Sequence, residues 1–101
     1  LLGATYKPDI ADLRESPSLE VAEILVQKGS NMMFHDPHAE SFRMHGQVYH
    51  RVENLDAALA EADIAVVLVT HAAYDFDDIM KKAKVIFDTR GKLRGANVER
   101  L

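Results

Sequence analysis

Ile64-Ala65-Val66-Val67-Leu68-Val69 is the stretch on which the fold turns. Six successive apolar residues bury both faces of a strand, the state of a central parallel strand covered by helices on either side. A strand with one wet face would alternate instead. On its amino side, Asn54 is placed to cap a helix whose apolar face is Leu55, Ala58, Leu59 and Ala62. On its carboxyl side, Asp75 to Lys82 reads as a short helix with Phe76, Ile79 and Met80 inward, and Lys84 to Asp88 as a last strand. The acids Asp75, Asp77 and Asp78 suit that helix's N-terminus through the dipole. No glycine or closing glutamate follows them as a calcium loop would require.

Further out, Leu1 to Thr5 reads as a first, buried strand. Ser16 and Pro17 are placed to cap and start a helix. Val21, Ala22, Ile24 and Leu25 form its apolar face, Glu20, Glu23 and Gln27 its polar stripe, and Gly29 ends it. Asn31 to His35 reads as a second strand, closed by Asp36-Pro37, because proline cannot continue a ladder. Residues 38–47 show no clear period and read as a loop or short helix, and Gln47 to Arg51 as a short third strand. Strands alternating with helices give an α/β fold. The expectation is a three-layer Rossmann-like parallel sheet of about five strands with helices on both faces, in a single domain spanning residues 1–101.

A net charge of −4 argues against a nucleic-acid partner, which needs a basic face. With no cysteine, the chain has no disulfide, thiolate metal site or cysteine nucleophile of its own. No apolar run approaches the roughly 18 residues of a membrane span. These features are compatible with a cytoplasmic location. The chain opens at Leu1-Leu2-Gly3-Ala4 without a methionine, as expected of a piece cut from a longer protein.

Parallel strands end on one edge, where open α/β sheets bind ligands. That edge collects Lys7, Asp36, Thr70-His71 and Asp88-Thr89-Arg90, with Lys92 and Arg94 close behind. Lys7 and Arg90 converging in an acidic domain point to an anionic ligand such as phosphate or carboxylate. The competing reading is surface pairing with Asp9, Asp12 and Asp88. Gly3 is the only glycine before Gly29, so neither a dinucleotide fingerprint nor a P-loop is present. Asp36 stands where a nucleotide-binding fold places its ribose acid, but a turn-forming Asp-Pro is the better reading. His71 is the histidine nearest a ligand edge, although loop packing fits it better. The five histidines lack the spacing of a metal site, and no nucleophile sits beside a base.

The segment between the first strand and the first helix runs about ten residues where a few suffice. Its wording, Gly3-Ala4-Thr5-Tyr6-Lys7-Pro8-Asp9 followed by Asp12-Leu13-Arg14-Glu15-Ser16-Pro17, resembles the C-terminal domain of the UDP-glucose/GDP-mannose dehydrogenases. Asp36-Pro37, Thr70-His71 with Tyr74, and Asp88-Thr89-Arg90 agree with it in order and spacing. The resemblance implies an NAD-dependent oxidation of a nucleotide sugar's primary alcohol to a carboxylate, in polysaccharide biosynthesis. It implies that Tyr6, Lys7 and Arg90 hold the UDP end of the UDP-sugar substrate and that Arg14 faces the NAD cofactor. It places the catalytic cysteine and the main NAD site in upstream domains, so this chain has no catalytic residue of its own and is expected to be inactive alone. It also implies a homodimer or larger assembly. The Asp-Leu-Arg-Glu-Ser-Pro wording leans toward relatives acting on UDP-N-acetylhexosamines. The alternative is a non-enzymatic ligand-binding or regulatory α/β domain; a phosphoacceptor receiver would need acids where Tyr6-Lys7 stand.

Overall fold

A computed structural model describes residues 1–5 and 17–101. The expected roles of Tyr6, Lys7, Arg14 and the Ser16 cap lie outside the described residues.

The elements run α1 (Pro17–Gln27), β1 (Ser41–Met44), β2 (Gln47–His50), α2 (Leu55–Glu61), β3 (Ala65–Val67), α3 (Phe76–Lys82), β4 (Ile86–Asp88) and β5 (Val98–Arg100). The fold is α/β. Strands β3, β4 and β5 form a parallel sheet in that order, Val67 pairing with Asp88 and Asp88 with Arg100. Leu2 makes single parallel bridges to His35 on one side and Val67 on the other. The bridges carry real ladder bonds: Leu2 N–H to Val66 O and Leu68 N–H to Leu2 O, with His35 N–H to Leu1 O and Gly3 N–H to His35 O. The segment around Leu2 therefore lies between His35 and β3, and the chain leaves it in one direction and returns in the other.

Proline opens α1, where its missing N–H costs nothing. Gly29, at φ 87°, closes it. The Ser30 N–H returns to Leu25 O and the Gly29 N–H to Val26 O, which satisfies carbonyls the helix leaves open. Asn54 caps α2 by accepting the Ala57 N–H, and Asp75 caps α3 by accepting that of Asp78. The burial of α1 corrects the expected face. Ser18 and Ala22 are buried, with Leu19 and Val26 packed on the core, while Ile24 is 51 % exposed. Ile24 lies two residues, or about 200°, from Ala22 and so faces away.

Two further expectations are corrected. Within residues 38–47 only 38–40 are irregular, Ser41–Met44 being a strand, and Gln47 to Arg51 adds no strand to the parallel sheet. β1 and β2 form an antiparallel hairpin, Ser41 opposite His50 and Met44 opposite Gln47. The turn is His45-Gly46, both at positive φ, as a type I′ turn needs, and so short a loop permits only antiparallel pairing. Phe42 and Met44 are buried with Arg43 outward between them, the period of two that marks a half-buried strand. Lys84 to Asp88 is also not the last strand. Val98–Arg100 follows it as an edge, too short and too polar to announce itself.

The core forms two clusters. One gathers Leu2, Leu59, Val67, Ile79, Ile86 and Leu93 beneath α2 and α3. The other gathers Ala4, Ala22, Phe34, Phe42 and Met44 between α1 and the hairpin. Leu2 and Ala4 fall in different clusters because Gly3 between them, at φ 101°, breaks the alternation of the strand.

Candidate functional site

The carboxyl ends of the parallel segments bring together Thr5, Asp36, His71 and the loop Asp88-Thr89-Arg90. Two buried carboxylates organise this edge. Asp36 is fully buried. Its Oδ2 accepts the Ala4 N–H at 2.7 Å, the Thr5 N–H at 3.1 Å and the Thr5 hydroxyl at 3.3 Å. The same oxygen meets His71 Nε2 at 2.9 Å, while Oδ1 accepts the His38 N–H at 2.7 Å. Thr5 Oγ1 is also 3.0 Å from His71 Nε2. Burial pushes the Asp36 carboxyl up, but the N–H bonds from Ala4, His38 and Thr5, with His71, outweigh it and hold it below the ordinary carboxylate range.

Asp88, equally buried, repeats the device one strand beyond β3. Its Oδ1 accepts the Arg90 N–H at 2.8 Å, and its Oδ2 accepts those of Lys92 and Leu93 at 2.7 and 2.8 Å. Here too burial opposes ionisation, and the N–H bonds from Leu93, Arg90, Lys92 and Gly91 prevail and lower the carboxyl. Thr89 donates its hydroxyl to Val67 O at 2.6 Å. Arg90 donates Nε–H to Leu68 O at 2.8 Å, which anchors an otherwise exposed guanidinium at the end of β3. Among the described residues its Nη nitrogens meet no acceptor. A guanidinium held at Nε presents its two Nη groups as a fork suited to a planar or tetrahedral anion.

Asp36 is thus a turn-forming acid and His71 a packed loop residue, as the sequence indicates. Asp88 serves the loop's backbone, not a surface cation. Arg90 stands at the expected edge; Lys92 and Arg94 are exposed beside it. Among the described residues no group of His, Asp and Glu is disposed to hold a metal ion. Two participants went unread. Thr5 carries no motif of its own, and Arg51, which donates Nη1–H to Asp36 O at 3.2 Å, belongs to the segment after the hairpin. Neither role has a local signal, because both partners are distant in sequence.

His35 and Tyr74 complete the edge. Tyr74 donates its hydroxyl to His35 O at 2.9 Å, and the Tyr74 hydroxyl oxygen is 3.0 Å from His35 Nδ1. Burial, then the Asp36 charge, pushes the Tyr74 hydroxyl far up, so it stays neutral. Burial first, then the Arg51 charge, lowers His35 below its ordinary value of 6.5. All three shifted acid-side groups act in one direction. A folded-state pKa below the unfolded one gives stability that is complete above the unfolded value and lost as pH falls. Burial likewise lowers the Leu1 amine from 8.0 to about 6. Stability measured by urea unfolding should therefore fall as pH drops from 8 to 6, fall further below about 6.5 as His35 protonates, and fall steeply below about 4 as Asp36 and Asp88 do. Stability that is unchanged as pH falls from 7 to 5, or that rises there, contradicts the lowered pKa of the half-buried His35 imidazole.

A cavity of about 360 Å³ lies at the opposite, amino ends, lined by Leu1, Met32, Ala58, Ala62, Ile64 and others. Its lining also includes Ser30, Asn31, His35, Glu61 and Asp63. No helix among the described residues is long and apolar enough to cross a membrane.

The model of the UDP-glucose/GDP-mannose dehydrogenase family, UDP binding domain, matches residues 1–95. Over 101 aligned residues the chain is 36 % identical to UDP-N-acetyl-D-mannosamine dehydrogenase of Methanococcus maripaludis, covering 92 % of this chain and 22 % of that protein. GDP-mannose 6-dehydrogenase of Azotobacter vinelandii is 40 % identical over 78 residues, 65 % of this chain and 18 % of that protein. In structure it is similar to UDP-N-acetyl-mannosamine dehydrogenase of S. aureus (TM-score 0.72, 28 % identity), covering 98 % of this chain and 24 % of that one. The chain spans about a fifth of the length of the curated relatives it matches. With that match running from the first strand past the Asp88-Thr89-Arg90 loop, the chain belongs to the UDP-glucose/GDP-mannose dehydrogenase family.

Proposed function

We propose that this chain is the substrate-binding domain of an NAD-dependent nucleotide-sugar 6-dehydrogenase, and that Tyr6, Lys7 and Arg90 grip the UDP end of the sugar nucleotide. The observation that carries the reading is the anchored Arg90. Its main chain is fixed by a buried carboxylate and its Nε by Leu68 O, which leaves a cationic fork exposed at the carboxyl edge of the parallel sheet. Preorganisation of this kind lowers the ordering cost of binding. The edge also lies beside the point where the chain reverses direction, the usual ligand crevice of an open α/β sheet. The reading treats the Leu2 and His35 segments as two further strands of a five-stranded, three-layer sheet, the alternation expected of such a fold.

The described residues do not suit a dinucleotide. Gly3, the one glycine at the end of the first segment, leaves its missing side chain's space to Val69, whose main-chain nitrogen would stand 2.8 Å from an added Cβ. That close approach serves strand packing, and the glycine-rich turn that cradles a pyrophosphate has no counterpart in the sequence. NAD accordingly belongs to another part of the longer protein, with Arg14 reaching it across the cleft. The substrate is a UDP-N-acetylhexosamine, the class named for the Methanococcus and S. aureus relatives. A homodimer or larger assembly and a cytoplasmic location complete the reading.

In the intact dehydrogenase, Lys7→Ala and Arg90→Ala should each raise KM for the nucleotide sugar by more than about tenfold, or 1.4 kcal/mol, the scale of one charge-assisted phosphate contact. Steady-state kinetics check this. Near-normal KM in both variants would remove UDP from this edge.

A further inference from the structure

We propose that His71 is a positioning residue for the nucleotide site: held against Asp36 and Thr5, it fixes the point from which the Tyr6-Lys7 segment departs. The inference rests on the reading above. His71 cannot touch a ligand itself, since its side chain is fully buried. It acts through what it holds. Asp36 Oδ2 is a hub for the ends of three segments: Ala4 and Thr5 from the first, Asp36 itself from the second, and His71 from the stretch after β3. Thr5 is bound twice, by its N–H and hydroxyl to Asp36, and its hydroxyl also lies 3.0 Å from His71 Nε2.

An ionised carboxylate only accepts, so the proton between His71 and Asp36 sits on Nε2. An apolar residue at position 71 would fill the same space and take the imidazole N–H away from the buried carboxylate and from the Thr5 hydroxyl. The ring is boxed in by His38, edge-on at 4.8 Å between centroids, and by Tyr74 at 6.0 Å, so it has little freedom to swing away. Two peptide units separate Thr5 from Lys7, and each advances the chain by about 3.8 Å. Small errors at Thr5 are therefore passed to the residues that grip phosphate. Such misplacement weakens ligand contacts without removing any of them.

The test uses the full-length dehydrogenase with UDP-N-acetylmannosamine as substrate and UDP as competitive inhibitor. His71→Leu should raise the sugar-nucleotide KM and the UDP inhibition constant together by about tenfold, with kcat and the KM for NAD within about twofold. His71→Gln, which sets an amide N–H near the place of Nε2–H, should restore both to within about threefold. His71→Asn, one bond shorter, should not. A folded His71→Leu enzyme with unchanged KM and inhibition constant overturns the proposal, as does an equal loss in kcat and in both substrates' KM. Should the Leu variant not fold, the Gln and Asn variants decide: kinetics that differ in the stated sense uphold the inference, and identical kinetics overturn it. Arg90→Ala and Lys7→Ala are run alongside. If either raises KM while the His71 variants do not, only the positioning role fails; if neither changes KM, the nucleotide reading itself fails.

Discussion

Asp36→Ala should cost about 4 kcal/mol and lower the melting temperature of this chain by roughly 20 °C. The carboxylate is fully buried and receives three main-chain N–H groups, a hydroxyl and an imidazole N–H. Removing it strands all of them at once. Each buried donor without an acceptor costs about 1–3 kcal/mol, and breaking a buried charged pair from one side costs about 3–5 kcal/mol in total. A 100-residue domain has only about 5–15 kcal/mol to lose, so the variant is near its threshold at 37 °C. Amide exchange gives the specific signature. Protection should fall at Ala4, Thr5 and His38 well beyond the global loss.

Asp36→Asn separates charge from shape. One oxygen remains to accept N–H bonds, while the amide nitrogen, a donor, faces either His38 N–H or the cluster at Oδ2. The cost should be about half that of alanine. The acid limb of stability should also flatten, because the group whose pKa is depressed is gone. An Asp36→Asn protein as stable as the parent at pH 7 would show that the ionised form contributes nothing.

The sequence made the helices and the central strand legible because each is announced locally. Pro17 and Gly29 bracket α1, Asn54 and Asp75 cap α2 and α3, and the apolar run around Val67 admits one interpretation. The hairpin was hidden because its strands are four residues each and its turn uses His45 where asparagine or aspartate is the usual signal. β5 was hidden because Val98 is its only apolar residue; its place depends on backbone pairing to Ile86 through Phe87 and Asp88, which composition does not record. At the site, the motif acids were readable as turn formers, since aspartate binding its own following backbone is a local habit. Thr5 was not, since its partners lie 31 and 66 positions away. Long-range polar contacts have no period.

Gly3→Ala should destabilise the fold by about 3 kcal/mol, a change that methyl size alone would never suggest. Two costs add. The residue sits at φ 101°, a region that L side chains rarely adopt. A Cβ there would lie 2.7 Å from Val69 Cβ and 2.8 Å from Val69 N. Neither atom can turn aside, because the backbone of Val69 fixes both; Val69 N–H is bonded to Leu2 O, so moving that backbone opens the junction between the first segment and β3. The same junction carries Thr5 and the Asp36 hub two residues on, so the damage should spread to the ligand edge. Trimming the neighbour distinguishes the two costs. In Gly3→Ala/Val69→Gly the Cβ contact is gone while the nitrogen and the φ remain, so the double variant should regain little beyond the loss Val69→Gly causes alone. Full recovery in a thermodynamic cycle would mean that side-chain crowding, not backbone approach, is what excludes every residue but glycine at position 3.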